Sequence, residues 1–235
     1  MTDIIDIQNL RFRWPGSQTD TLSIDSLQIK SGEKVFIRGA SGSGKTTLLN
    51  ILSGVSEASS GLVSVLGTEL KQLKSSTRDR FRAQHIGYIF QAFNLIPYLS
   101  MEENVALACH FSKERKSKVL AQSISLDAEI RRLLAHLELE DEVLSRKPVT
   151  ELSIGQQQRV AVARAIIGKP ELIIADEPTS ALDSDRRQKF IELLFREINN
   201  SGSTLVFVSH DESLESLFDR SILLSEINKN QGEIL

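Results

Sequence analysis

Apolar residues follow three patterns along this chain. Near the N-terminus they alternate with polar residues, in Ile4-Ile5-Asp6-Ile7 and in Leu22-Ser-Ile24-Asp-Ser-Leu27-Gln-Ile29. A period of two puts every second side chain on one face, so residues 4 to 30 predict antiparallel strands with one wet face. Gly61-Leu-Val-Ser-Val-Leu-Gly67 predicts a further strand bounded by glycines. Elsewhere the apolar run is unbroken. Lys34 to Arg38 predicts a short buried strand, and Leu172-Ile-Ile-Ala175 and Leu205-Val-Phe-Val208 predict parallel strands covered on both faces. The third pattern is helical. Leu126, Ile130, Leu133, Leu134 and Leu137 recur at helical spacing, and so do Phe190, Leu193, Leu194 and Ile198 within a helix predicted over 184–199.

Strands and helices in this order predict an α/β core, an N-terminal antiparallel β-subdomain and a helical subdomain. The character changes near residue 91, and Lys147-Pro148 closes the helical stretch. The division expected is a single domain over 1–235, with a core of about 1–90 and 160–235 and a helical part of about 91–159. Charges at 113–118 (Lys-Glu-Arg-Lys-Ser-Lys) read as a solvated helix face. The tail from Ile222 to Leu235 predicts a hairpin turning around Asn228 to Gln231.

Between the strand at 34–38 and a helix predicted from Thr46 to Leu52 lies Gly39-Ala-Ser-Gly-Ser-Gly44-Lys45-Thr46, which fits G-x-x-x-x-G-K-[ST] without a mismatch. Gly39, Gly42 and Gly44 let the backbone approach a phosphate closely. The N–H groups of the loop, through Ala40, Ser41 and Ser43, then point at the anion, and the helix opening at Thr46 and Thr47 adds the positive end of its dipole. Lys45 supplies a mobile charge to the β- and γ-phosphates, and the Thr46 hydroxyl is a ligand for Mg²⁺. The plain alternative is a Gly/Ser-rich surface turn, which the strand–loop–helix context disfavours.

A second constellation ends the strand at 172–175 in two carboxylates, Asp176 and Glu177. Asp176 is placed to hold Mg²⁺ directly or through water. In an extended chain Glu177 points the other way, so it can face a γ-phosphate and take a proton from water. The alternative is an acidic pair opening a turn before Pro178.

Bulk properties narrow the class. The net charge is −3 and the isoelectric point about 5.9, which gives no general attraction to nucleic acid. One cysteine, Cys109, excludes an intrachain disulfide and reads as a small buried hydrophobe in a reducing compartment. The first residues lack the basic and apolar regions of a signal peptide, and no apolar run is long enough to span a bilayer. The expectation is that any membrane-spanning part belongs to another chain.

With these motifs in hand, the sequence resembles the ATP-binding cassette (ABC) ATPases over nearly its whole length. Gln91, in Tyr88-Ile-Phe-Gln-Ala-Phe-Asn-Leu-Ile-Pro97, matches the family's glutamine loop. Leu152-Ser153-Ile154-Gly155-Gln156-Gln-Gln-Arg159 matches its signature, Ser180-Ala-Leu-Asp183 its D-loop, and His210 its switch histidine. The resemblance implies a P-loop (RecA-like) ABC core that binds ATP with Mg²⁺ and hydrolyses it. Lys45, Gln91, Glu177 and His210 would be the catalytic set, with Thr46, Gln91 and Asp176 at the metal. It implies that Ser153, Gly155, Gln156 and Asp183 meet the nucleotide of a second copy, so that ATP closes a homodimer. Ser153 also reads as an N-cap, and a capped helix start binds anions. Trp14 lies where the family stacks an aromatic residue on adenine, with Phe12 as the other candidate.

Within the family the segment from Arg80 to Val105 resembles export and lipoprotein-release ATPases. That implies a permease contacted near Phe90–Leu99, no nucleic acid partner, and a peripheral position at the cytoplasmic face of the inner (plasma) membrane. Two positions depart from the pattern. Ile154 stands where the signature usually has glycine, and Thr179-Ser-Ala-Leu-Asp183 replaces the subgroup's more usual Gly-Asn-Leu-Asp. The competing reading is a soluble or regulatory ABC ATPase, linked to division, DNA or the ribosome, that transports nothing.

Overall fold

The computed structural model describes residues 2–140, 147–180 and 182–230. The chain divides into two units, Met1–Arg82 with Thr204–Leu235, and Ala83–Ser203.

The first unit carries two sheets. Strands β1 (Asp3–Phe12), β2 (Leu22–Lys30), β4 (Ser60–Val65) and β5 (Thr68–Glu69) form an antiparallel sheet in the order β2-β1-β4-β5. Ile5 pairs with Ile29 and Val65, and Ile7 with Leu27 and Val63, so the alternating apolar positions share one covered face. Gly61 has φ +87°, and a Cβ there would lie 2.2 Å from the Asn9 carbonyl oxygen. Only glycine lets β4 approach β1 where the register shifts between Gln8 and Arg11.

The second sheet of this unit centres on β3 (Lys34–Arg38), paired in parallel with β8 (Thr204–Val208) on one side and β9 (Arg220–Leu223) on the other. All five residues of β8 and the middle three of β3 are buried, as their unbroken apolar runs require. Phe36 stacks on Phe207 at 6.1 Å, and Phe218 packs against both at 5.1 Å. Helix α1 (Lys45–Leu52) follows β3, and α2 (Ser75–His85) runs across the unit boundary.

The second unit pairs β6 (Ile86–Ile89) in parallel with β7 (Leu172–Asp176). Around this pair are α3 (Met101–Phe111), α4 (Lys113–Leu120), α5 (Leu126–His136), α6 (Ile154–Ile166) and α7 (Ser184–Ser201). Ile130, Leu133 and Leu134 are the buried face of α5, and Phe190, Leu193, Leu194 and Ile198 that of α7, as their spacing predicts. Gly87 of β6 packs against α6: a Cβ there would lie 2.3 Å from the Ala165 carbonyl oxygen.

One expectation is corrected. The charge run at 113–118 is not uniformly solvated, because Arg115 is buried. Its guanidinium donates to the carbonyls of Ile86 (2.6 Å), Ala165 (3.2 Å), Gln84 (3.3 Å) and Ile167 (3.4 Å). Burial lowers its pKa to about 10, so it stays charged at neutral pH and fastens α4 to the start of β6 and the end of α6. After β9 the chain forms a short helix, α8 (Leu224–Ile227), ahead of the turn predicted around Asn228 to Gln231. Asn228 then turns toward β2: its side chain accepts from Ser23 N–H at 2.7 Å and donates to Thr21 O at 3.1 Å. The rest of the predicted hairpin, residues 231–235, lies outside the described residues.

Candidate functional site

In the first unit the loop after β3 forms a ring closed by its own lysine. Lys45 is 7% exposed, and its Nζ donates to Gly39 O at 2.8 Å and Ala40 O at 3.0 Å. Gly42 and Gly44 have φ of +78° and +99°, which bend the loop so that α1 opens directly from it. The helix has no side-chain N-cap and no acidic residue in its first turn. Its leading N–H groups and positive dipole end are therefore left for a ligand. Gly44 also makes room for its neighbours: a Cβ would lie 2.8 Å from Leu22 Cδ2. Ser41, Gly42 and Thr46 are exposed, whereas Thr47 packs inward with α1.

This donor-rich, acid-free cradle fits a phosphate. Ser43 Oγ is buried with no hydrogen-bond partner among the described residues, and a Cβ on Gly39 would crowd it at 2.7 Å. The loop therefore holds an unused polar atom in space that only glycine leaves open.

Two further candidates share this unit. Because Ile37 pairs with Val208 in parallel, the phosphate loop and His210 leave the sheet at the same end. Ser209 N–H donates to Ile37 O at 3.2 Å, and Asp211 N–H donates to Ser209 Oγ at 3.1 Å, which sets the turn bearing the exposed His210. Trp14 is 45% exposed and edge-on to the buried Phe12 at 4.9 Å. It begins the β1–β2 connection whose far end, Thr21 and Leu22, borders Gly44. Trp14 is thus the open aromatic face and Phe12 the core residue.

The second unit gathers the other candidates. Ile89 pairs with Ala175, so Gln91 and the Asp176–Glu177 pair also emerge at one strand end. Asp176 is buried, whereas Gln91 is exposed. Burial and the Asp176 charge both push the Tyr88 phenol upward from its ordinary pKa. Glu177 departs from expectation: β7 ends at Asp176, and Glu177 has φ +47°. Strand alternation does not set its direction; a left-handed backbone does, a conformation that costs energy and is frequent at functional positions. Asp176 and Gln91 in this unit, and Thr46 in the first, each offer a side-chain oxygen, the donor type that suits Mg²⁺ rather than zinc. Among the described residues no three His, Cys, Asp or Glu side chains form a metal cluster.

Ser153 caps α6 as its sequence predicts. Its Oγ accepts from Gln156 N–H at 3.3 Å while Gln156 Oε1 accepts from Ser153 N–H at 2.8 Å, a reciprocal capping box. Gly155 faces open space, and Ile154 is 56% exposed beside it. Asp183 caps α7, accepting from Arg186 N–H at 3.0 Å. Sequence reasoning missed Gln158, which is buried and donates to Pro178 O at 2.5 Å, tying α6 to the turn after Glu177. The signal was a polar residue on the apolar face of that helix. Of the run Phe90–Leu99, Phe93 is buried and Phe90 stacks on Tyr88 at 4.2 Å, while Tyr98 is 77% exposed. Core packing claims part of the stretch and leaves one large aromatic open. Among the described residues no helix is long and apolar enough to cross a membrane.

Residues 22–180 match the ABC transporter family. The macrolide export ATP-binding/permease protein MacB of Pasteurella multocida is 37% identical over 234 residues, 99% of this chain and 34% of that protein. The chain thus spans about a third of the length of the MacB relatives. The lipoprotein-releasing system ATP-binding protein LolD of Francisella tularensis is 37% identical over 223 residues, 94% of this chain and 93% of that one. Among solved structures, the dimeric bacterial ABC transporter cassette MJ0796 superposes with a TM-score of 0.81 at 34% identity, covering 93% of each chain. A post-hydrolysis dimer of MJ0796 bound to ADP and Pi gives a TM-score of 0.78.

Proposed function

This chain belongs to the ABC transporter family and is an ABC-family ATPase, and from that premise we propose that it powers a separate membrane permease of the export or lipoprotein-release type. The observation that carries the reading is the lysine-closed loop Gly39–Thr46 opening into a helix with no side-chain cap. It is a site for a polyphosphate rather than a bare carboxylate, because one charge and a row of N–H groups serve several oxygens at once.

The roles follow residue by residue. Lys45 and the backbone N–H groups from Ala40 to Thr47 hold the β- and γ-phosphates of ATP, and Trp14 offers a face for adenine. Thr46, Gln91 and Asp176 would hold Mg²⁺, which when bound neutralises phosphate charge. Glu177 accepts the proton of the attacking water, and His210 holds a γ-phosphate oxygen by hydrogen bond. The capped start of α6, with Ser153, Gly155 and Gln156, serves the nucleotide of a second copy, and Asp183 lies on the same contact. ATP binding then closes a homodimer and hydrolysis reopens it. In this reading residues about 1–90 and 160–235 bind nucleotide, and about 91–159 carry the motion to the permease through the Phe90–Leu99 stretch at the cytoplasmic face of the membrane.

The printed role of LolD, the ATP-binding protein of a lipoprotein-releasing system, supports a cassette that serves such a system. The test is affinity capture of the full chain carrying Glu177→Gln, with ATP and Mg²⁺, from detergent-solubilised cells. A multi-span membrane protein recovered in near-equal amount is the expected result. Ribosomal proteins, nucleic acid or no membrane chain would overturn the permease assignment and leave a soluble ABC ATPase.

A further inference from the structure

The segment after β6 contains two adjacent residues in a conformation that side chains resist. Phe93 has φ +59° and Asn94 φ +48°. Left-handed backbone is uncommon for any residue with a Cβ and an outlier for a bulky one. It persists where surrounding contacts over-determine it. The loop's own bonds define its course. Phe93 N–H donates to Phe90 O at 2.9 Å, making Gln91 and Ala92 the central residues of a turn. Asn94 N–H then donates to Ala92 O at 2.6 Å, a second and tighter reversal. Gln91 is therefore presented by a double turn whose second half is strained.

Arg164 grips that second half. It lies near the end of α6, and its guanidinium donates to Phe93 O and to Asn94 O, each at 2.6 Å. Five N–H donors in a rigid plane match two successive carbonyls in a way that a lysine ammonium does not. Among the described residues it forms no ion pair with a carboxylate, so its donors serve the loop. Burial lowers its pKa. On the other flank Asn104, fully buried on α3, accepts from Ile96 N–H at 2.8 Å and donates to Ile96 O at 3.1 Å and Ser100 O at 3.0 Å. The loop is held from two helices, and among the described residues Arg164 is the side chain that reaches the strained Phe93 and Asn94.

We propose that Arg164 is a positioning residue, whose two-pronged hold on the Phe93 and Asn94 carbonyls orients Gln91 and couples it to the helix capped by Ser153. Ser153 and Arg164 stand ~16 Å apart along one rigid helix. A tilt of α6 imposed at the Ser153 end is delivered to the Gln91 turn through the guanidinium. The proposal deepens the reading given above, and rests on Gln91 serving the nucleotide.

The test uses Arg164→Lys and Arg164→Met in the full chain, with two independent readouts. The first is amide hydrogen exchange in the nucleotide-free protein. Exchange in a peptide covering 90–96 is expected to quicken at least tenfold in Arg164→Met while a peptide from α5 (126–136) is unchanged. The second is kinetic. The kcat for ATP is expected to fall at least tenfold in Arg164→Met and less in Arg164→Lys, with KM and nucleotide affinity within twofold. Arg164→Met added to Gln91→Ala should cost nothing beyond Gln91→Ala alone. Unchanged exchange at 90–96, additive losses with Gln91→Ala, or faster exchange throughout residues 83–203 with a lowered melting temperature would each overturn the proposal. Should the unmodified protein fail to hydrolyse ATP, the functional reading falls, and the exchange experiment still decides the grip on the loop.

Discussion

Replacing Lys45 with methionine removes one charge and keeps most of the stem. The ammonium is buried and bonded to Gly39 O and Ala40 O, so without nucleotide its charge closes the loop. A phosphate oxygen held about 4 Å away at an effective dielectric near 20 interacts with that charge by about 4 kcal/mol. Some of this is offset by desolvation of both partners, which leaves about 2 to 4 kcal/mol of lost binding. That corresponds to a roughly 30- to 700-fold weaker Kd for ATP. The two lost loop bonds, less the desolvation of the ammonium, contribute about 2 to 3 kcal/mol to folding, a fall of about 4 to 12 °C in Tm for a chain of this size. Calorimetric titration of ATP into wild type and Lys45→Met, with a thermal melt of each, separates the two effects. A Kd within twofold of wild type in a folded variant would refute the assignment of this loop to phosphate.

The signature departure gives a second expectation. Ile154→Gly should leave steady-state hydrolysis unchanged or raised, because the side chain is largely exposed at the start of α6 and Gly155 beside it faces open space; a loss above tenfold would contradict this. Glu171 supplies a pH dependence. Burial works against its ionisation, yet hydrogen bonds from His85 and Lys118 outweigh it and hold the carboxyl at about 2, down from 4.5. A depressed folded pKa gives stability that is present above about pH 4.5 and lost as pH falls toward 2. The side chain is 38% exposed, so screening reduces the contribution to ~1 to 2 kcal/mol. Denaturant melts should show Glu171→Gln less stable than wild type at pH 6 and nearly equal to it near pH 2; an equal gap at both pH values would remove the linkage.

Much of this fold was readable because its signals are local. Period-two alternation set β1 and β2, unbroken apolar runs set β3, β7 and β8, the phosphate loop and α7 face followed from spacing, and Ser153 entered through the family resemblance before it read as a cap. What stayed hidden depends on contacts distant in sequence. Arg115 looked like one of several surface charges, and only the carbonyl ends of β6 and α6 make its burial possible. Arg164 and Asn104 sit in helices whose neighbours are apolar, which hints at burial without naming the loop they hold. Glu177 was assigned by extending strand geometry one residue too far, since a backbone that turns left-handed after Asp176 leaves no mark on period. The anchoring of Asn228 was hidden for a related reason: it is drawn to Ser23 and Thr21, partners some two hundred residues away.

The central claim is that ATP closes two copies of this chain and that Glu177 then drives hydrolysis. Glu177→Gln keeps the side-chain shape and removes the proton acceptor, so it separates the two steps. The measurement is the molecular mass of this variant in solution with ATP and Mg²⁺, set beside its steady-state phosphate release. The expected result is a dimer with ATP, a monomer with ADP, and hydrolysis reduced at least a hundredfold. A monomer under both nucleotides, or phosphate release at the wild-type rate, would contradict it.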